Sequence, residues 1–323
     1  MQRAQQTSIE RPQQGNQRVL VTGVTSIHGW PIYQRLAASL PPERLFGVCP
    51  PKTKSSTPRH VGPLCITDKA ALERLRDRVR PDVVIHAAGV CDLDLCEERP
   101  AWAQALNVEG AANIAEVFRE SRIVHISTDL VFSGETAPEK GYAETDPTDP
   151  VSVVGRTFVL AERQISAVPG HTIVRLALPL GDSFDGTKGA LDWIRGRLRR
   201  GRPATLFYDE YRSCIDCEEL ARVVEALLST RSFGLYHLGG PVPISLYDVG
   251  LRVLAEGGYE RHLLRRSSRF EEIDGPPRVG NVSLDSSRIE GLIGSRIASC
   301  VRRRNPSLPP DGDVVTPAIG PQA

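Results

Sequence analysis

Several absences narrow the field before any motif is read. The 323-residue chain has no apolar run near the roughly 18–20 residues that span a bilayer, so no membrane-spanning helix is expected. It has no excess of one charge either. The 40 Lys and Arg against 39 Asp and Glu leave a formal charge of +1, which gives no reason to expect nucleic acid or an anionic membrane as a general partner. The seven cysteines (49, 65, 91, 96, 214, 217 and 300) are an odd set in a long chain. That argues against a disulfide scaffold and for reduced thiols in a cytoplasmic compartment. No internal repeat is present. Residues 1–17 are rich in Gln and Arg without a hydrophobic stretch, and are expected to be a disordered lead-in, neither signal peptide nor anchor. Residues 300–323 turn to Arg, Pro, Gly and Asp and are expected to be a disordered tail.

Between these ends the chain alternates. Short β-branched runs predict strands at Arg18–Thr22, Leu45–Cys49 and Ile123–Ser127, and one over Pro81–Gly89 that runs into a small-residue turn. Helical spacing separates them through Tyr33–Leu40, Ala70–Arg80 and Trp102–Arg119. Strand–helix alternation of this kind predicts βαβ units and a doubly wound parallel sheet. The second half alternates less cleanly. Strands are expected at Thr172–Leu176 and Gly234–Leu238, and helices at Ala190–Arg200, Glu218–Leu228 and Leu246–Glu256.

The first strand hands over to a helix through Val21-Thr22-Gly23-Val24-Thr25-Ser26-Ile27-His28-Gly29. A tight turn there lets backbone N–H groups and the helix N-terminus face a pyrophosphate, although glycine serves such turns for backbone reasons alone. Ile85-His86-Ala87-Ala88-Gly89 ends a strand in small residues. Further on come Ile123–Gly134 (IVHISTDLVFSG) and Pro150–Glu162 (PVSVVGRTFVLAE).

These blocks resemble the extended short-chain dehydrogenase/reductases, and within them the dTDP-4-dehydrorhamnose reductase branch. Asn107-Val108-Glu109-Gly110, Asp209–Ser213, Gly239-Gly240-Pro241 and Asn281–Ser287 carry the similarity from about residue 18 to about 295. The resemblance implies an α/β fold with a Rossmann-like sheet. It implies a dinucleotide-binding domain over 18–165 and a smaller, interleaved substrate-binding region over 166–299. It also implies NAD or NADP held by Gly23, Ser26, Ile27, Gly29, Lys52, Ala87, Ala88, Gly89 and Asn107. A nucleotide-linked sugar substrate would meet Asp129, Tyr211 and Arg212. In that family a tyrosine protonates the carbonyl, and a lysine lowers the phenol's pKa from about 10 and holds the nicotinamide ribose. A hydroxyl, here Thr128, binds the carbonyl oxygen.

The departures from the pattern are as informative as the matches. Val154 and Phe158 stand where the tyrosine and lysine are expected, sharing one helical face. Neither can donate a proton, and loss of a general acid forfeits about 10²–10⁴ in rate. Ser26 replaces the middle glycine of the turn, and Cys65 an aspartate in Leu64–Asp68. No carboxylate follows the second strand to mark NAD; Lys52 and Lys54 stand there instead, leaning the choice towards NADP or forming only a solvated loop. Tyr142 is the candidate for a relocated acid, against the plainer reading of a loop tyrosine covering the core. Asp92, Asp94 and Glu97 read as a polar loop leading to a helix. Arg195, Arg197, Arg199, Arg200 and Arg202 would either face a sugar nucleotide or form an exposed helix end. The pair Cys214/Cys217 has no third and fourth ligand at suitable spacing, so no metal is expected.

Two functions follow. In one, the protein binds NAD(P) or a nucleotide sugar without reductase chemistry and acts as a binding or regulatory subunit, alone, as a homodimer or with a protein partner. The regulatory beta subunit of methionine adenosyltransferase offers the analogy. In the other, it is an active NAD(P)-dependent oxidoreductase with its proton donor moved. The departures at Ser26 and Cys65 also raise loss of cofactor binding as an outcome.

Overall fold

A computed structural model describes residues 17–230, 233–271 and 275–300. The expected lead-in and tail lie outside these residues, apart from Gln17 and Cys300. The chain begins with β1 (Val19–Thr22), α1 (Gly29–Ser39), β2 (Leu45–Cys49), β3 (Val61–Pro63), α2 (Lys69–Val79) and β4 (Val83–His86). Then come α3 (Leu93–Glu98), α4 (Pro100–Gln104), a π-helical turn (Ala105–Glu109), α5 (Gly110–Val117) and β5 (Arg122–Thr128). After α6 (Val153–Ser166) and β6 (Thr172–Leu176) the elements shorten: β7 (Pro179–Leu180), α7 (Ala190–Arg199), β8 (Ala204–Phe207), β9 (Tyr211–Arg212) and β10 (Ile215–Asp216). The chain closes with α8 (Cys217–Leu228), β11 (Gly234–Leu238), β12 (Ile244–Ser245), α9 (Leu246–Ala255), β13 (Leu264–Ser267) and α10 (Ser287–Ile293).

Seven of these strands form one parallel sheet in the order β11-β6-β5-β4-β1-β2-β3. The expected doubly wound sheet is therefore present. Its strands are apolar because both faces are covered. One face packs Val19, Val21, Ile85 and Val124 against α1 and α8; the other packs Leu20, Val84 and Ile123 against α2, α5 and α6. The strand order reverses between β1 and β4, and the crevice beyond their carboxyl ends is the place where this architecture binds ligands. The edge strand β3 was not foreseen: three residues containing Gly and Pro carry too little pattern.

Two strands of the sheet, β6 and β11, come from beyond residue 166. α8 and α10 pack on a face of the sheet, whereas β7, α7, β8, α9 and β13 gather around a separate cluster of Leu180, Ile194, Leu198, Leu206, Val249, Val253 and Leu264. The helix expected over Trp102–Arg119 is interrupted by the π-helical turn. That turn carries Asn107, in keeping with the tendency of such bulges to sit where a side chain is needed at a set position.

Candidate active site

The glycine turn is built for close approach. Gly23 has φ +69°, and a Cβ there would lie 2.6 Å from the Ala87 carbonyl oxygen. Only glycine lets the turn rest on the end of β4 in this way. Ser26 at the middle position is structurally employed. Its hydroxyl accepts a hydrogen bond from the Gly29 N–H (2.9 Å) and donates to the Ala87 carbonyl (3.3 Å). One of the helix N-terminal donors is thus already satisfied. Ile27 lies under Gly189, and its carbonyl accepts the Cys217 thiol proton (3.8 Å). Lys52 is exposed on the turn after β2.

Val154 and Phe158 project from α6 on one face, both buried. The helix is set by two caps: Ser152 Oγ accepts from the Gly155 N–H (3.1 Å), and Glu97 Oε1 from the Val153 N–H (2.6 Å). Gly155 permits the approach, since a Cβ there would fall 2.1 Å from the Leu130 carbonyl oxygen. The Phe158 ring reaches the end of β4, where a Cβ on Gly89 would lie 3.2 Å from its Cζ. It also stacks on His125 at 6.2 Å, which in turn stacks on His86 at 5.1 Å. These rings form part of a cross-strand row, Thr22–His86–His125, in register across β1, β4 and β5. Burial pushes His86 down to about 4 and His125 well below its ordinary value, so both are neutral rings.

Asn107 does not face the crevice freely. Its side chain accepts from the Val90 N–H (2.8 Å), and donates to the Val90 carbonyl (3.0 Å) and to Thr157 Oγ1 (2.9 Å). It ties the exit of β4 to α6. The backbone of Ala87 and Ala88 sits against Gly23.

Thr128 ends β5 and is buried; its hydroxyl donates to Asp129 Oδ1 (3.2 Å) and accepts from the Leu130 N–H (3.2 Å). Asp129 and Arg212 meet as a buried bidentate ion pair, with Nε to Oδ2 at 2.7 Å and a second bond from Nη2 to Oδ1. Arg212 also reaches Glu210 (3.4 Å), and Arg278 approaches Glu210 at 3.9 Å. Burial raises the carboxyls of Asp129 and Glu210, with Arg212 opposing the rise at both. Burial works against the Arg212 charge, but Asp129 and then Glu210 hold the guanidinium firmly protonated. Cys91 lies beside this group, its thiol pushed up to about 12 by burial, then by Cys96 and Asp129. It is therefore a thiol at neutral pH and not a nucleophile. Tyr211 is half-buried on β9, with burial, Asp248 and Asp209 raising its phenol.

Tyr142 lies in the apolar cluster with Phe132, Val154 and Phe158, stacked on Phe132 at 4.0 Å. Its carbonyl accepts from His237 Nδ1 (2.7 Å), and its hydroxyl is buried beside Ser133 and the Gly134 backbone. Burial raises its pKa, followed by the charge of Asp149. The basic cluster on α7 is also accounted for locally: Arg195 pairs with Asp182 and Glu256, and Arg197 covers Trp193 and donates to Pro203. Among the described residues no group of three metal-ligating side chains is present.

Sequence reasoning passed over Glu210, buried with Arg212, and the Glu162–Arg175 ion pair. In the latter, Glu162 accepts from Arg175 (2.9 and 2.8 Å) and from Ser127 Oγ (2.6 Å) beneath the crevice. Glu210 lies just before the two-residue strand β9, which is too short to show a period that would have marked it. Nothing marked Glu162 either, whose partner lies on β6.

The dinucleotide-binding architecture fits a pyrophosphate better than it fits a nicotinamide ribose. The turn offers α1's N-terminus, close backbone and a buried Thr25 hydroxyl without a partner among the described residues. The far end offers Phe158, a neutral histidine row and a committed asparagine. The RmlD substrate binding domain model matches residues 17–300. The chain belongs to this family. Among its relatives, the probable low-salt glycan biosynthesis reductase Agl14 of Haloferax volcanii is 30% identical over 71% of this chain and 77% of its own. Methionine adenosyltransferase 2 subunit beta of Xenopus laevis is 25% identical over 87% of this chain and 84% of its own. The crystal structure of dTDP-4-dehydrorhamnose reductase from Bacillus anthracis, in complex with NADP, matches with a TM-score of 0.71 over 88% of this chain and 94% of that one, at 19% identity. That likeness is one of fold. In this chain the side chains that α6 buries beside the end of β4 are those of Val154 and Phe158. No helix of the described residues is long and apolar enough to cross a membrane.

Proposed function

We propose that this chain binds a nicotinamide dinucleotide or a nucleotide sugar in the crevice beyond β1 and β4, and serves as a cytoplasmic binding or regulatory subunit without ketone reduction. The observation that carries the proposal is the burial of Val154 and Phe158 on the crevice face of α6, with the Phe158 ring against Gly89. A carbonyl placed there meets no acid: Thr128's hydroxyl is already donated to Asp129, and Tyr142 is stacked into the core. Binding is a separate matter, since pyrophosphate recognition rests on backbone and helix N-terminus. A dTDP-4-dehydrorhamnose reductase of this fold holds NADP, and a relative spanning most of the chain is named as a subunit of methionine adenosyltransferase. Both support the reading. Lys52 and Lys54, with no carboxylate after β2, favour NADP over NAD.

Fluorescence titration with NADH and NADPH tests binding, and turnover with NADPH and a dTDP-4-keto sugar tests chemistry. Binding without turnover is the expected result. Turnover within about a hundredfold of an ordinary reductase, no more than the smallest loss in the range of about 10²–10⁴ that removal of a general acid causes, overturns the non-reducing reading in favour of a relocated donor. In that event Tyr142→Phe abolishes activity if Tyr142 is the donor.

A further inference from the structure

The loop over residues 181–189 comes from the C-terminal half of the chain and lies across the glycine turn. Its base is tied by Ser183, whose hydroxyl donates to Asp192 Oδ2 (2.6 Å) and accepts from the N–H groups of Thr187 (3.2 Å) and Lys188 (3.1 Å). The loop meets the turn at three places. Phe184 packs edge-on against Trp30 at 4.9 Å. Gly189, at φ +88°, rests on Ile27 so closely that a Cβ would lie 2.9 Å from Ile27 Cγ1. Lys188 Nζ donates to the Thr25 carbonyl at 3.1 Å.

The turn supplies no charge of its own. In Val21–Gly29 the only titratable side chain is His28, which burial pushes down to about 4 and keeps neutral. Ser26 has spent its hydroxyl on Gly29 and Ala87. What remains at the turn is the buried Thr25 hydroxyl, without a partner among the described residues, and the ammonium of Lys188 on the carbonyl of the same residue. An ammonium has three donors, and a neutral carbonyl uses one.

We propose that Lys188 is a phosphate-binding residue of this site, delivered from the C-terminal half to the pyrophosphate of a nucleotide seated on the turn. The inference rests on the proposed nucleotide binding and adds to it the residue that supplies the charge. It also gives the loop a function: the substrate-side half of the chain closes on the nucleotide through Lys188, so phosphate at the turn holds the loop down.

Calorimetric titration of the full chain with ADP, NADPH and adenosine tests this, using the wild type, Lys188→Gln and Lys188→Arg. A charge-assisted hydrogen bond to phosphate corresponds to roughly tenfold or more in affinity. Lys188→Gln is expected to weaken ADP and NADPH by that factor, to flatten the salt dependence of ADP binding, and to leave adenosine unchanged. Lys188→Arg is expected to keep most of the affinity. Equal ADP affinity in wild type and Lys188→Gln overturns the role of Lys188 while leaving nucleotide binding intact. Equal losses for adenosine and ADP reduce Lys188 to a structural support and overturn the inference. A wild type that binds neither ADP nor NADPH overturns both this inference and the reading beneath it.

Discussion

Arg212→Met is the perturbation whose size follows most directly from the structure. Arg212 stands between two carboxylates that are almost fully enclosed, Asp129 at 0% exposure and Glu210 at 1%. It makes two hydrogen bonds to Asp129 and a third, longer one to Glu210. Removing one partner of a buried ion pair costs about 3–5 kcal/mol, because the other charge is left in a poor solvent. Here two are left, with Arg278 and, less directly, Arg269 near Glu210. Against a typical total of about 5–15 kcal/mol, the loss is severe. It also has a pH signature. Both carboxyls are already raised by burial, and Arg212 opposes that rise; without it they rise further. A carboxyl whose folded pKa lies above its unfolded value near about 4 contributes stability that is complete below the unfolded pKa and lost as pH climbs through the folded one. The deficit of Arg212→Met should therefore be smaller at about pH 5.5 than at about pH 8. Urea unfolding of variant and wild type at both pH values measures it, and contributions of the buried histidines cancel in the difference. A deficit below about 1 kcal/mol, the range of exposed pairs, or an equal deficit at both pH values, would refute the account of the pair as a buried clamp.

The buried histidines give a second test. His86 and His237 are lowered to about 4 and His125 well below its ordinary value, each by burial first. Their folded pKa lies below the unfolded 6.5, so the stability they contribute is present above that value and lost as pH falls towards about 4, by up to about 1.4 kcal/mol per pH unit for each ring. Unfolding free energies between about pH 7.5 and pH 4.5 should fall steeply, and a flat profile would show that the rings are not held neutral. The third test rebuilds the missing pair. Val154→Tyr with Phe158→Lys should raise NADPH-dependent turnover of a dTDP-4-keto sugar by about 10²–10⁴ over the parent. Overpacking at the enclosed Val154 should cost about 1–3 kcal/mol. A folded, NADPH-binding double variant with unchanged turnover would mean that these two positions are not what separates the chain from a reductase.

Local patterns carried the fold a long way. Six sheet strands were legible because a parallel strand buried on both faces is a continuous apolar run, bounded here by Gly23, Pro41-Pro42 and Pro81. The C-terminal strands β7, β9, β10 and β12 were not, since two residues carry no period and their pairing depends on partners far along the chain. The same division runs through the site. Gly23 and Gly29 announced a turn, and the structure returns one with the positive φ that required Gly23. Asn107 read as a site residue, but whether its amide faced a ligand or Val90 and Thr157 depended on how α6 packs.

Sequence alone established which groups are missing: the residue types at 154 and 158 cannot supply a proton or a charge in any conformation, because that is covalent chemistry. Where the remaining polar groups spend their hydrogen bonds is a matter of distance across the fold. Asp129 and Arg212 are 83 residues apart and close on each other instead of standing open to a substrate. Lys188, on a loop with no local pattern, reaches Thr25 across 163 residues. Such pairings arise only when the C-terminal half packs against the first half of the chain, and no local period encodes that packing.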